Sequence, residues 1–239
     1  MLKVKNVNHK YKKGFEVKNL SLEVKEGFIY CLLGVNGCGK TTFLRLIYGM
    51  LTGSSGEIEW NGRNVLSGGR IDEKNLAEYH REAAITGSEW CAKGLSLNKN
   101  VEILSKLYPS FDNEYFETLK KSLGLKEDAD KKYMELSKGQ QVKAEIAFNL
   151  AKRPKLLLLD EPLANLDPVI KMEIVEILQK AVEENEMSII ISTHLLDEVT
   201  DMVDYIILMK NGEIERFGDR IEMLENDGKT SLRELFSRE

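Results

Sequence analysis

Gly34-Val35-Asn36-Gly37-Cys38-Gly39-Lys40-Thr41 fits the pattern G-x-x-x-x-G-K-[ST]. That spacing describes a loop built around phosphate. Glycines let the backbone wrap closely around a polyphosphate with several N–H groups pointing inward. Lys40 can then reach the outer phosphates, and the Thr41 hydroxyl can sit on Mg²⁺. The flanks agree. Phe28 to Leu33 reads as a buried strand, and Thr41 to Tyr48 reads as a helix whose N-terminus faces the anion. A glycine turn that matches by chance has no reason to carry those neighbours.

Two further stretches narrow the chemistry. Leu156-Leu157-Leu158-Leu159-Asp160-Glu161-Pro162 is an apolar run ending in two carboxylates. The run suits a parallel strand buried on both faces, and open α/β sheets place ligands at such strand ends. Asp160 is expected to hold Mg²⁺, directly or through water, and Glu161 to polarise an attacking water. The bland alternative has both acids merely capping a strand. Leu136-Ser137-Lys138-Gly139-Gln140 precedes an amphipathic stretch, Gln141 to Lys152, that ends before Pro154. Ser137 can cap that helix, whose N-terminus then attracts an anion. Taken alone, it is only a helix cap.

In combination and in this order, the three motifs resemble those of the ATP-binding subunits of ABC transporters. The resemblance runs from about Leu2 to about Leu224. Ala164-Asn165-Leu166-Asp167 is similar to the family's D-loop, and Thr193-His194 to its switch histidine. Tyr11 stands where the family sets an aromatic ring against adenine; an ordinary strand aromatic is the alternative. The resemblance implies an α/β fold: a P-loop NTPase core with a mostly parallel sheet, an N-terminal antiparallel β-subdomain and an inserted helical subdomain at about 95–152. The ATP-binding domain is expected over 1–225, with a polar tail over 226–239. It further implies nucleotide contacts from Tyr11, Gly34, Asn36, Gly37, Cys38, Gly39, Lys40, Thr41, Thr42, Ser137, Gly139, Gln140 and Asp167. Glu161 and His194 are the implied catalytic pair, and Thr41 and Asp160 the implied Mg²⁺ ligands.

The implied activity is ATP hydrolysis by a dimer of such chains, identical or not, in which Ser137 of one protomer meets the γ-phosphate held by Lys40 of the other. The implied partners are a second ATP-binding subunit and a transmembrane permease, and the implied place is the cytoplasmic face of the cell membrane. Two departures stand out. Lys138 replaces the first glycine of the usual LSGGQ. In Ile85-Thr86-Gly87-Ser88-Glu89 the family's metal-touching glutamine is missing, and Glu89 or Ser88 takes its place. Two other classes remain: an ABC-type ATPase acting on DNA or ribosomes, and an ATP-sensing module without turnover. The first usually carries a long coiled coil or two cassettes, and neither is visible. Glu161 and His194 speak against the second.

Composition sets the bounds. The 239 residues are 42% hydrophobic with four prolines, enough for one large domain or a domain with a subdomain. The net charge of −5 comes from well-mixed acids and bases, so no electrostatic footprint for nucleic acid is expected. No apolar run approaches the roughly 18–20 residues that span a bilayer. Cys31, Cys38 and Cys91 form no pairing framework, which suits a reducing cytosol. Cys38 reads as a tolerated residue in the loop, with a redox-sensitive thiol as the alternative.

Along the chain, Val4, Val7, Val17, Leu20, Leu22 and Val24 predict antiparallel strands around a Lys12-Lys13-Gly14 turn. Gly56 to Trp60 predicts a strand leading into an Asn61-Gly62 turn. Val101, Leu104, Leu107 and Tyr108 are expected on one face of a helix stopped by Pro109. Asp112 to Leu123 predicts another helix, ended by Gly124. Asp167, as an N-cap, and Pro168, at the first helical position, open a further helix. Ser188 to Ser192 and Val203 to Met209 read as strands, the second followed by an Asn211-Gly212 hairpin turn.

Overall fold

Alternating apolar residues bring the first two strands together. In the computed structural model of the chain, which describes residues 1–12, 14–87, 90–194, 199–200, 202–226 and 228–229, β1 (Leu2–Lys10) pairs antiparallel with β2 (Glu16–Val24). Leu2 faces Val24 and Val7 faces Leu20 across the ladder. The Tyr11 N–H donates to Phe15 O at 2.8 Å and closes the turn between them. β3 (Ile29–Leu33) follows and leads through the glycine loop into α1 (Lys40–Ile47). β4 (Ser55–Trp60) and β5 (Arg63–Ser67) are joined by Asn61 and Gly62 at φ 49° and 77°, the left-handed pair that a tight hairpin requires. With β6 (Arg70–Ile71) they complete an antiparallel sheet in the order β2-β1-β4-β5-β6.

α2 (Glu73–Glu82), capped by Asp72, leads into β7 (Ala83–Ile85). Three helices follow: α3 (Leu97–Leu104), α4 (Asn113–Ser122) and α5 (Lys138–Ala151). After them come β8 (Leu156–Asp160), α6 (Pro168–Asn185), β9 (Ser188–Thr193), β10 (Tyr205–Lys210), β11 (Glu213–Asp219) and α7 (Arg220–Asn226). The second sheet runs β11-β10-β3-β9-β8-β7, parallel throughout except for the antiparallel β10–β11 hairpin.

The parallel strands divide the core by their pleat. Cys31, Leu33, Leu157, Leu159, Ile189 and Ile191 face α3 to α6, in one cluster with Phe148, Leu178 and Phe116. Tyr30, Leu32, Leu156, Leu158 and Ile190 face α1 and the antiparallel sheet, with Phe43, Leu44, Val4 and Trp60. Leu156 to Leu159 are wholly buried. Each such side chain contributes roughly 1.5–3 kcal/mol of burial. An apolar run therefore serves here where alternation serves in β1 and β2.

The expected helix ending at Pro109 differs. α3 stops at Leu104, and Ser105–Leu107 forms a 3-10 turn instead. Leu107 is 69% exposed, so it does not share the buried face of Val101. The change of helical pitch rotates it outward. α7 runs one residue past the expected domain end at 225. Ser88, Glu89 and the tail from 230 to 239 lie outside the described residues.

Candidate functional site

The glycine loop is held from beneath. A Cβ on Gly34 would stand 2.5 Å from the Met209 carbonyl oxygen, so only glycine fits against β10. The Cys38 N–H donates to Val35 O at 3.1 Å, and Gly212 N–H donates to Cys38 O at 2.9 Å. Gly37 and Gly39 take φ of 82° and 118°, conformations that strain any other residue. The loop is thereby clamped to the β10–β11 turn. Cys38 is 4% exposed and packs in the core with Phe43 and Met209. Redox-sensing thiols are solvent-accessible, so its burial favours the structural reading.

A cavity of about 390 Å³ opens above the loop, lined by Phe15, Asn36, Gly37, Gly39, Lys40, Thr41, Thr42 and Glu161. Lys40 is only 5% exposed, and its ammonium donates to Gly34 O at 2.7 Å. It also lies 3.1 Å from Glu161 Oε1. The other oxygen, Glu161 Oε2, is 2.8 Å from His194 Nδ1. A carboxylate only accepts, so Nδ1 carries the proton in that contact. Glu161 has φ 46°, a left-handed conformation at the end of β8 that turns the chain out of the strand.

The carboxylate beside it is fixed by its own shell. Ser192 Oγ donates to Asp160 Oδ1 at 2.8 Å and accepts from Glu161 N–H at 2.9 Å. The Asp160 N–H donates to Thr86 Oγ1 at 3.3 Å. Glu161, just past β8, thus joins Lys40 to His194, just past β9, and Ser192 holds Asp160 beside Glu161. Among the described residues no cluster of three or more His, Cys, Asp or Glu side chains could hold a metal by itself.

Other expected residues stand apart from the cavity wall. The Tyr11 hydroxyl lies 3.3 Å from Thr42 Oγ1, and its ring packs edge-on to His9 at 4.7 Å. Ser137 Oγ accepts from Gln140 N–H at 3.2 Å, and Gln140 Oε1 accepts from Ser137 N–H at 2.9 Å. This reciprocal cap opens α5 with Ser137 exposed. A Cβ on Gly139 would stand 2.6 Å from Ile170 Cδ1, so the glycine lets α6 approach closely. Asp167 caps α6 through Val169 N–H at 2.8 Å. Glu89 and Ser88 lie outside the described residues.

Three contributors escape a motif reading. Phe15 lines the cavity although it belongs to no motif; an aromatic just after a glycine turn was its one signal. Ser192 and Thr86 organise Asp160 as small polar residues at the ends of apolar strands, a pattern that also fits a plain strand terminus.

Comparison with known proteins agrees with this geometry. Residues 17–164 match the ABC transporter family. The lantibiotic transport ATP-binding protein SrtF of Streptococcus pyogenes is 31% identical over 237 residues, 99% of this chain and 96% of SrtF. The solved structure of cbiO1 from Clostridium perfringens, part of the ABC transporter complex cbiONQ, superposes with a TM-score of 0.78 at 28% identity. It covers 95% of this chain and 91% of cbiO1. The dimeric post-hydrolysis state of the ATP-binding cassette MJ0796, bound to ADP and Pi, superposes with a TM-score of 0.80 at 28% identity, covering 92% and 98%. With its glycine loop and Glu161 lining one cavity, and Asp160 and His194 beside Glu161, the chain belongs to the ABC transporter family, as an ATP-binding subunit and an ATPase.

Proposed function

We propose that this subunit powers a membrane transporter through ATP-driven dimerisation on the cytoplasmic face of the membrane. The observation that carries the reading is the chain of contacts from Lys40 to Glu161, which both line the cavity, and from Glu161 on to His194. Lys40 and the loop N–H groups hold the phosphates; Phe15 borders the place for the base, and Tyr11 stands behind it, against Thr42. Glu161, oriented by His194, draws a proton from the attacking water. The rest of the rate enhancement is positioning and charge stabilisation.

Thr41 and Asp160 supply hard oxygen donors, and Ser192 already orients one Asp160 oxygen. That donor set fits Mg²⁺. When bound with ATP, the ion neutralises charge on the phosphates. Glu89 or Ser88 is proposed to supply the oxygen that a glutamine supplies elsewhere in the family.

Ser137, Gly139, Gln140 and Asp167 belong to the same reading through a second chain. Ser137 is exposed at a capped helix N-terminus, a place where backbone N–H groups attract anions. Two ATP molecules would then join two chains face to face, each phosphate chain held by Lys40 of one and Ser137 of the other. The partner that receives the motion is a multi-span permease. No described helix is long and apolar enough to cross a membrane itself.

The test is capture of the full chain from detergent-solubilised membranes, followed by phosphate release from MgATP. The expected result is a multi-span partner and an ATPase rate that rises with it. Recovery of a single soluble chain that binds ATP and releases no phosphate overturns the proposal.

A further inference from the structure

Glu145 lies midway along α5, the helix that Ser137 opens. Its Oε1 accepts from Gly87 N–H at 3.0 Å, across to the loop that follows β7. Gly87, at φ 83°, backs directly onto the acid of β8: a Cβ there would stand 3.4 Å from Asp160 Cβ. One residue earlier, Thr86 N–H donates to Leu158 O at 2.9 Å, and Thr86 Oγ1 accepts from Asp160 N–H. The loop is therefore laced to β8 on one side and to α5 on the other. The chain meets α5 again at Trp90, whose ring stacks on Phe148 at 4.6 Å.

We propose that Glu145 is a positioning residue for ATP hydrolysis: it fastens the loop after β7 to α5 and so ties the Ser137 helix to Asp160. This rests on the function proposed above. A helix N-terminus bound to a second chain's nucleotide moves as a rigid rod, and a hydrogen bond at its middle passes that motion to the loop. Without the acceptor, the Gly87 N–H is left to water and the loop can shift against Asp160. Burial raises the Glu145 carboxyl above its usual range, opposed by the Gly87 N–H and by Lys138 and Lys152 nearby.

The test compares the wild-type chain with Glu145→Ala and Glu145→Gln. Alanine removes the acceptor; the glutamine amide oxygen keeps it. The expected result is a kcat lowered about 10- to 100-fold in Glu145→Ala, the range for misplacement away from the chemistry. MgATP affinity by titration calorimetry stays unchanged, and Glu145→Gln restores the rate. With Trp60 replaced by Phe in every chain so that Trp90 alone reports, emission on nucleotide addition should respond as in the wild type in Glu145→Gln and fail to respond in Glu145→Ala. A wild-type rate in Glu145→Ala overturns the proposal. So does a Glu145→Gln chain as impaired as the alanine variant, or equal losses in affinity and rate. Turnover by the wild-type chain and its loss in Glu161→Gln report on the ATPase reading separately. The Trp90 signal needs no turnover, so it tests the fastening even in an inert chain.

Discussion

Glu161 Oε1 lies 3.1 Å from Lys40 Nζ, so the acid at the end of β8 serves as the counter-ion of the phosphate-loop lysine. With His194 on its other oxygen, the carboxylate bridges the anion site and the histidine. On the proposed function, an arriving γ-phosphate would compete with Glu161 for Lys40.

Glu161→Gln removes the proposed base and the charge beside Lys40. Turnover should fall by about 10²–10⁴-fold, the usual contribution of a positioned base. ATP affinity should hold or tighten, and the variant should dimerise with ATP on size-exclusion chromatography. Near wild-type phosphate release would remove Glu161 from its role.

On the proposed function, Lys40→Ala leaves the phosphates without their nearest cation, and among the described residues Glu161 keeps only His194. Calorimetry should show weakened ATP binding, since charge-assisted contacts to phosphate are lost. Thr41→Val removes one oxygen ligand and should raise the Mg²⁺ concentration needed for half-maximal activity. Unchanged binding and activity in both variants would make the loop a decoy.

Gly34→Ala tests the clamp beneath the loop. The added methyl meets a backbone carbonyl of Met209, which cannot rotate away as a side-chain tip can. Urea unfolding should show a loss of about 1–3 kcal/mol, as for overpacked cores. Gly139→Ala meets only the flexible end of Ile170, and its loss should be smaller. The reverse order would contradict the placement of the loop against β10.

Lys152 carries a pH signature. Burial lowers its pKa to about 8, with Glu145 opposing. Its ammonium sits 4.2 Å from the Tyr108 ring centroid and 4.8 Å from that of Phe148. Below pH 8 both folded and unfolded chains hold the proton, and burying the charge opposes folding in full. Between pH 8 and 10.5 the unfolded chain holds more protons, so this contribution to stability rises with pH. The shift corresponds to about 3 kcal/mol, reduced by ring–cation attraction of about 1–2 kcal/mol. Lys152→Met should be the more stable protein at pH 7, with the difference closing across that window in urea melts. A constant difference would mean that Lys152 titrates in its ordinary range.

Local pattern determined much of this protein. The glycines of 34–41 allow a tight loop because Gly37 and Gly39 take left-handed angles that strain other residues. Asn61-Gly62 and Asn211-Gly212 favour hairpins because Asn and Gly both take left-handed angles readily, and Ser137 and Asp167 cap helices through N–H groups within three residues. The Leu156–Leu159 run is apolar throughout because its strand lies between two packed layers. Leu107 was misread because apolar spacing alone does not report where α3 changes pitch.

The assembly of the site was decided by tertiary structure. Glu161 and His194 are 33 positions apart, and Gly87 and Glu145 are 58 apart. No local pattern fixes such distances. The register of parallel strands does: Leu33 stands beside Thr193, and Asp160 beside Ser192. Side-by-side pairing aligns the three strand ends, and everything that follows those ends is delivered to one edge of the sheet. The same long-range packing sets Phe15 over the loop and Glu145 against Gly87. Sequence named the groups because their chemistry is local; only the stacking of strands and helices could bring them within hydrogen-bonding distance.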